Sequence, residues 1–502
     1  MSYIKVMFIN PNPRNISIIS HTVALFYTIF KSNNIDMKFF DTTFYDLSDK
    51  YCNPDKYRLE NLNVVPVGDK LPKELNSTKK YEELLSDFRK TVERWKPNVI
   101  MASAMESTID LALDLLKTIR DLRIPTVLGG VFPIYNPDQA IRFDEIDVIC
   151  IGEGEKVIVP ICRRLIEDKS LSGIPNIWIK EKDGSITKSL LSPPVDINEN
   201  PPLDVSIFED SRFYRPMAGK IYRMFPVETH RGCSYKCNFC LAPVQNEKYK
   251  NQTGVNYFRK KTIENVMKDI RYFTHKCKAE YLLFWADNFL LYSKNEIDEF
   301  CEAYADIRLP FFIQTYPTTI DEYKIKKLSK VGLHRVGIGI EHGNEEFRRM
   351  ILNRHYTNKA AIEGVKILKK HDIQFSTYNI VGFPTETPEL HMDSVLLNRI
   401  MQPNSAACSI FTPFHGIKLR DMAIELGYLK DSEINAKTFS DEPILEMPTF
   451  SKKQILGKSR TFILYMKFPE SRFGEIKKAE AMTSEGDRIW LELKQEYLDK
   501  YS

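Results

Sequence analysis

Three cysteines within eight residues carry the most specific chemical signal in this chain. They lie in the run Thr229-His230-Arg231-Gly232-Cys233-Ser234-Tyr235-Lys236-Cys237-Asn238-Phe239-Cys240. Thiolates are the ligands of iron–sulfur clusters, and a loop with C-x-x-x-C-x-x-C spacing can wrap a four-iron cubane corner by corner. Three protein ligands leave the fourth iron open, as a cluster that binds a small molecule requires. Zinc is the competing occupant of such a loop. It wants a fourth ligand, and the nearest candidate, His230, lies on the strand side. The other six of the nine cysteines are scattered at 52, 150, 162, 277, 301 and 408, which argues against a disulfide framework. All but Cys52 fall in apolar or helical patterns and read as core thiols.

The elements that must hold this loop are legible from periodicity. Residues 221–429 alternate strand and helix, with strand candidates at 225–229, 281–285, 311–315, 335–340, 373–380 and 406–411. Six such units suit a partial (β/α) barrel, whose site lies at the C-terminal strand ends, and the cysteines follow the first strand. Thr319-Ile320-Asp321-Glu322 reads as a capping box, and Thr387-Pro388 as an N-cap before proline at the first helical position. Residues 1–168 give a second α/β unit. Apolar runs at 3–9, 35–41, 97–103, 124–128 and 146–151, separated by helical patterns, predict a parallel doubly wound sheet. The stretch 42–80 has no clear period and reads as an insertion. Residues 169–220 read as a linker holding a hairpin at 174–190 that turns at Asp183-Gly184, followed by prolines at 193, 194, 201 and 202. Residues 430–502 look mainly helical.

Length and charge bound the rest. At roughly 150 residues per domain, 502 residues suit about three domains. Lysine and arginine number 71 against 67 acidic residues, so charge gives no reason to expect a nucleic-acid partner. No apolar run approaches the ~20 residues of a membrane span, and the first residues lack the layout of a signal peptide. A soluble cytoplasmic protein is expected.

The cysteine segment resembles the signature of the radical S-adenosylmethionine superfamily. That resemblance implies that Cys233, Cys237 and Cys240 bind a 4Fe-4S cluster and that Phe239 lies near the adenine of S-adenosylmethionine. It also implies that the cofactor chelates the open iron, and that an electron from the cluster splits it to methionine and a 5′-deoxyadenosyl radical. Further matches run across the barrel. Trp285-Ala286-Asp287-Asn288-Phe289 stands where the family has its second-strand motif, with Ala286 in place of an acidic residue, so a polar role falls to Asp287 or Asn288. Gly337-Ile338-Gly339-Ile340-Glu341-His342-Gly343 resembles the fourth-strand pattern, with His342 replacing serine, and implies that Glu341 bonds the cofactor. Asn379-Ile380-Val381-Gly382-Phe383-Pro384-Thr385-Glu386 resembles the fifth-strand segment along the adenine, which implicates Ile380 and Gly382. The segment from Ser409 to Gly416 resembles the sixth, with His415 where proline is usual; His415 reads equally as substrate-facing or structural.

A parallel sheet binds ligands beyond the carboxyl ends of its strands. A dinucleotide site there would need G-x-G-x-x-G after the first strand, where Asn10-Pro11-Asn12-Pro13 stands instead. The N-terminal pattern resembles the Rossmann-like cobalamin-binding domain that precedes the barrel in one radical S-adenosylmethionine class. The resemblance implies that Asn10, Pro11, Ser103, Met105, Gly129, Gly130, Val131, Gly152, Glu153 and Gly154 line the corrin. The D-x-H-x-x-G motif that supplies cobalt with histidine is missing, and His21 has no aspartate before it. Cobalamin is therefore expected without its own base and without a histidine ligand.

The two modules together imply a methyltransferase. The radical takes hydrogen from an unactivated carbon of a small-molecule or natural-product substrate, methylcobalamin supplies the methyl group, and flavodoxin or ferredoxin supplies electrons. Three alternatives remain at this point. One is a cyclase, oxidative or ring-rearranging enzyme on the same machinery, since fold and cofactors do not fix the reaction. The second is a cobalamin-binding sensor, which the complete cysteine motif disfavours. The third is a tRNA methylthiotransferase, which needs a second three-cysteine cluster that Cys52, Cys150 and Cys162 are too dispersed to form.

Overall fold

Runs that are apolar on both faces need cover on both faces, and the five N-terminal ones obtain it as a parallel sheet between helices. The computed structural model describes residues 3–13, 18–48, 50–51, 54–64, 79–434 and 442–501. Cys52 and part of the 42–80 stretch lie outside the described residues. Strands β1 (Ile4–Asn10), β2 (Ile35–Asp41), β3 (Val99–Ser103), β4 (Thr126–Gly129) and β5 (Val148–Cys150) pair in the order β2-β1-β3-β4-β5. The order turns between β1 and β3, so the crevice at that switch point opens beyond Asn10 and Ser103. The hairpin forms as β6 (Ile177–Lys180) and β7 (Ile186–Lys188), with Gly184 at φ +85° in the turn and the Asp183 carboxylate accepting from Ser185 N–H at 2.9 Å. β6 pairs antiparallel with β5, so the hairpin extends the N-terminal sheet to seven strands.

A second hairpin, unannounced by the sequence, leads into the barrel. β8 (Tyr214–Met217) and β9 (Lys220–Glu228) are joined by Ala218 and Gly219, both at positive φ, as a two-residue turn of this twist demands. β9 is followed by a two-stranded ribbon, β10 (His230–Arg231) with β11 (Arg259–Lys260). The remaining strands are β12 (Tyr281–Trp285), β13 (Phe311–Thr315), β14 (Leu333–Glu341), β15 (Gln374–Val381) and β16 (Ser405–Ile410). β9 and β12 to β16 lie parallel in chain order, a curled half-barrel with β8 antiparallel at one edge.

Helix starts follow local chemistry with one shift. Thr387 caps its helix as expected, accepting from Leu390 N–H at 3.3 Å with Pro388 at the first position. The helix Glu322–Ser329 is capped by Asp321, not Thr319. Thr319 Oγ1 is engaged with Tyr316 O, Thr315 and Asn288, and so is held in the preceding turn.

The C-terminal region is mainly helical, and its helix Lys452–Lys467 packs on β15 and β16. The free edge of β16 is closed from two sides: Cys408 N–H donates to Asn63 Oδ1 at 3.0 Å, and Ser459 Oγ donates to Cys408 O at 3.1 Å. An open strand edge is thereby blocked by residues from opposite ends of the chain. Among the described residues no helix is long and apolar enough to cross a membrane.

Candidate functional site: a cysteine loop facing a second sheet edge

The β10–β11 ribbon carries the chain away from the barrel end, and residues 232–240 form the loop that follows. Gly232 turns it at φ +84°, with Tyr257 and Phe258 pressed against the space a side chain would take. Cys240 caps the helix Leu241–Thr253 through its sulfur, which accepts from Ala242 N–H at 3.4 Å. Asn246 Nδ2 donates to Cys233 O at 2.7 Å. Residues 351–354 form the opposite wall. Asn238 N–H donates to Leu352 O at 3.1 Å, Asn238 Nδ2 to Ile351 O at 2.8 Å, and Asn353 Nδ2 to Lys236 O at 2.7 Å. Arg354 Nη1 lies 3.5 Å from Cys237 Sγ. The protein's own hydrogen bonds therefore hold the shape of the loop.

Burial pushes the Cys233 thiol up to about 11 and Cys240 to about 12, reinforced by the Asp287 carboxylate, while Arg354 works the other way at Cys233. Burial also raises Cys237, against the opposing charge of Arg354. Thiols held in this state ionise when a cationic metal group takes them as ligands. His230 does not join them. Its ring is buried 4.3 Å from that of Tyr292 and its Nδ1 lies 2.9 Å from Thr229 Oγ1. No three His, Cys, Asp or Glu side chains converge on a single-ion site among the described residues. A cubane spreads its thiolates over separate corners and needs no such convergence.

The barrel-edge residues named by the sequence ring the same end. Asp287 presents surface, yet burial by the surrounding protein raises its pKa; Trp285 beside it is 46% exposed. Asn288 is buried, its Oδ1 accepting from Thr315 Oγ1 at 2.7 Å, and its Nδ2 is without a hydrogen-bond partner among the described residues. Glu341 follows a bulge in β14 at φ +68°, with its carboxylate 3.8 Å from Arg354; burial raises its pKa and Arg354 opposes the rise. The Phe239 ring lies 5.8 Å from Phe383, and Ile380 is partly buried at the end of β15.

Gly382, at φ +87°, is fixed by a buried carboxylate. Glu386 Oε2 accepts from Gly382 N–H at 2.6 Å and Phe383 N–H at 3.0 Å, while Oε1 lies 3.2 Å from His342 Nε2 and 3.3 Å from His391 Nδ1. His342, in the place of the expected serine, thus links the ends of β14 and β15.

On the facing sheet, Asn10 is half-buried and Pro11 buried at the end of β1, while Asn12 is tied to Thr42 and Thr43. Ser103 and Gly129 end β3 and β4. Gly130 stands at φ +94°, where a Cβ would lie 2.6 Å from Ala104 O, so only glycine fits. Met105 and Val131 are 49% and 40% exposed, an apolar rim beyond the strand ends. Residues 152–154 act differently from the sequence expectation. A Cβ on Gly152 would meet Leu191, Asn176 and Tyr249, and one on Gly154 would meet Phe26, so protein rather than a ligand fills the space they leave. The Glu153 carboxylate is taken by Arg231 at 2.7 Å, Arg259 and Val195 N–H at 2.8 Å.

Those contacts belong to a seam between the sheets that sequence reasoning missed. Arg231 also reaches Glu155 at 2.6 Å and Glu228 at 2.9 Å, and His21 Nε2 lies 3.6 Å from Glu228. Near the cysteines, Tyr135 Oη donates to Leu241 O at 3.2 Å and Lys248 Nζ to Ile134 O at 2.7 Å. Glu106 meets His415. None of these pairs leaves a mark in local spacing. Arg354, Tyr316 and Asn353, which brace the cysteine loop, were equally unmarked.

Fold and site define an α/β protein in which the segments beyond the strand ends of a doubly wound sheet meet those of a half-barrel bearing a three-thiol loop. The B12-binding domain family model matches residues 74–161, and the radical SAM superfamily model matches residues 227–395. An uncharacterized methyltransferase of Pyrococcus horikoshii is 24% identical over 375 residues, covering 74% of this chain and 78% of that protein. The radical S-adenosylmethionine methyltransferase TsrM of Kitasatospora setae, solved with cobalamin and a [4Fe-4S] cluster bound, superposes with a TM-score of 0.61 at 16% identity, covering 94% of this chain and 82% of that one. The cobalamin-dependent radical enzyme OxsB, solved with aqua-cobalamin and S-adenosylmethionine, gives 0.63 at 13% identity, covering 99% and 71%. The chain belongs to the cobalamin-dependent radical S-adenosylmethionine enzymes.

Proposed function

We propose that this enzyme methylates an unactivated carbon of a small-molecule substrate, with a 4Fe-4S cluster, S-adenosylmethionine and cobalamin as cofactors. One observation carries the reading. The short helix that follows Gly130 reaches the cysteine loop directly through the Tyr135–Leu241 hydrogen bond, one residue beyond Cys240. This contact supports a reading in which the proposed corrin edge lies beside the cysteine loop.

The residues present fit the groups. Cys233, Cys237 and Cys240 supply the thiolates. Asn288, whose buried Nδ2 has no hydrogen-bond partner among the described residues, and Asp287, Glu341, Ile380, Gly382 and Phe239 supply polar and apolar contacts for S-adenosylmethionine. Asn10, Pro11, Ser103, Gly129 and Gly130 with the exposed Met105 and Val131 offer a flat apolar ring a place to rest. When bound, the cluster delivers the electron that cleaves S-adenosylmethionine and the corrin carries the methyl group. The chain's own part is positioning: Glu386 fixes the Gly382 turn, the 351–354 wall fixes the cysteines, and the seam keeps the two edges in register.

Cobalamin without its own base and without a histidine ligand is part of this proposal. It is supported by Asn12 being committed to Thr42 and Thr43, and by His21 facing Glu228. A small low-potential protein such as flavodoxin or ferredoxin is the proposed electron donor.

The test is anaerobic reconstitution with iron, sulfide and hydroxocobalamin. The loaded enzyme is then incubated with trideuteromethyl S-adenosylmethionine and a fractionated metabolite extract. Deoxyadenosine and S-adenosylhomocysteine should form together with a product carrying three deuteriums. Deoxyadenosine formed on a converted substrate that gains no label would replace methylation with cyclisation or rearrangement.

A further inference from the structure

One buried cation lies where the cysteine loop, the end of β14 and an aromatic stack meet. Arg354 is 6% exposed. Its Nη1 is 3.5 Å from Cys237 Sγ, its Nη2 donates to Gly339 O, and the Glu341 carboxylate is 3.8 Å away. The guanidinium lies over the Tyr316 ring at 4.3 Å. Tyr316 in turn stacks on Tyr235 at 4.0 Å and 11°, and Tyr235 stands between Cys233 and Cys237. Arg354 Nε is buried with no hydrogen-bond partner among the described residues.

Simple neutralisation of Glu341 does not explain this placement, because that contact is longer than a hydrogen bond while the sulfur and carbonyl contacts are made. A guanidinium does not lose its proton in a protein, so the charge beside Cys237 is fixed. Reduction adds negative charge to a cluster, and a cation that also donates to a ligand sulfur favours the reduced form. Burial limits screening by water and salt.

We propose that Arg354 is a positioning residue that raises the reduction potential of the cluster, held on the Cys237 sulfur by its stack on Tyr316 and Tyr235. This rests on the cluster reading given above.

The test uses the full chain and the variants Arg354→Gln and Arg354→Lys, each purified anaerobically and loaded with iron and sulfide alone. Dithionite titration is followed by electron paramagnetic resonance and visible absorbance, so activity is not the readout. The midpoint potential should shift to a more negative value in the Gln variant. The Lys variant, which keeps the charge but not the fork, should fall between Gln and the parent. Equal potentials and spectra in all three overturn the proposal. So do folded Gln and Lys variants that take up no cluster, since Arg354 would then serve assembly. A parent chain that takes up no four-iron cluster overturns the cluster reading itself, and this inference with it.

Discussion

His415 and Glu106 are 309 residues apart and meet twice: His415 N–H donates to Glu106 Oε2 at 3.1 Å, and His415 Nδ1 lies 2.8 Å from Oε1. One residue follows β3 of the N-terminal sheet, the other follows β16 of the half-barrel. The pair joins the segment that follows β3 to the segment that follows β16, a tie between the two sheets in addition to the Arg231 and Glu153 seam.

Glu106→Ala removes both contacts and leaves the His415 backbone donor without its carboxylate. A hydrogen bond to a charged group is worth about 1.5–3 kcal/mol, so a loss of that order is expected, seen as a lower Tm. Cobalamin retained through gel filtration, read from its visible absorbance, should fall with it. A variant that keeps the parent's Tm and retention would show that the latch is unimportant.

Replacing Cys233, Cys237 or Cys240 singly with alanine should lower bound iron after anaerobic reconstitution and abolish deoxyadenosine formation. Cys162→Ala, in the buried face of the helix Ile158–Ile166, should leave iron content at the parent level. Iron assay with deoxyadenosine chromatography distinguishes the two groups. Full iron in all four variants would refute the ligand assignment.

Acid should release the turn at Gly382. Burial alone would raise the Glu386 pKa, but the donors facing it from His342, His391 and the backbone hold it near 2, below its ordinary 4.5. Burial lowers the His391 pKa, and the neighbouring Glu386 carboxylate opposes that shift. With the folded value below the unfolded one, the stabilisation is complete above pH 4.5 and drains away as pH falls toward 2. It amounts to about 3 kcal/mol. Thermal melts from pH 6 to 3 should show a steep acid limb that Glu386→Gln flattens; parallel curves would contradict this.

Gly130→Ala places a methyl group 2.6 Å from Ala104 O and 2.7 Å from Ala104 N at a φ of +94°. Such strain costs of order 1–3 kcal/mol, and the loop must shift. Cobalamin binding, measured by equilibrium dialysis, is expected to weaken more than cluster loading, because the damage lies on the N-terminal edge. Equal loss of both would mean a general failure to fold.

Much of the architecture was legible because it is written in local periods. The apolar runs of β1 to β5 and the strand–helix alternation of β9 to β16 follow from residues that bury what lies within a few positions of them. The β8–β9 hairpin escaped notice because its turn, Ala218-Gly219, lacks the usual Asn-Gly or Asp-Gly pair. The cap moved from Thr319 to Asp321 because Thr319 found partners on other elements.

The glycines at 152 and 154 show the limit in the other direction. A glycine pair after a strand is the same sequence signal whether a ligand or a protein side chain approaches it. Here Leu191, Tyr249 and Phe26 approach, from residues far along the chain.

What the sequence determined by itself is a set of three thiols and its order, at fixed spacing after a strand, in a chain whose N-terminal strand ends are rich in glycine. Spacing within one loop is local, so no tertiary knowledge is needed to read it. Only the tertiary structure decided which charges sit beside those thiols and how the two sheets face each other. Arg354 approaches Cys237 from 117 residues away, and Glu153 is held by Arg231 and Arg259 from 78 and 106. Electrostatic and hydrogen-bond energies depend on distance through space, and separation along the chain says nothing of that distance until the chain has folded.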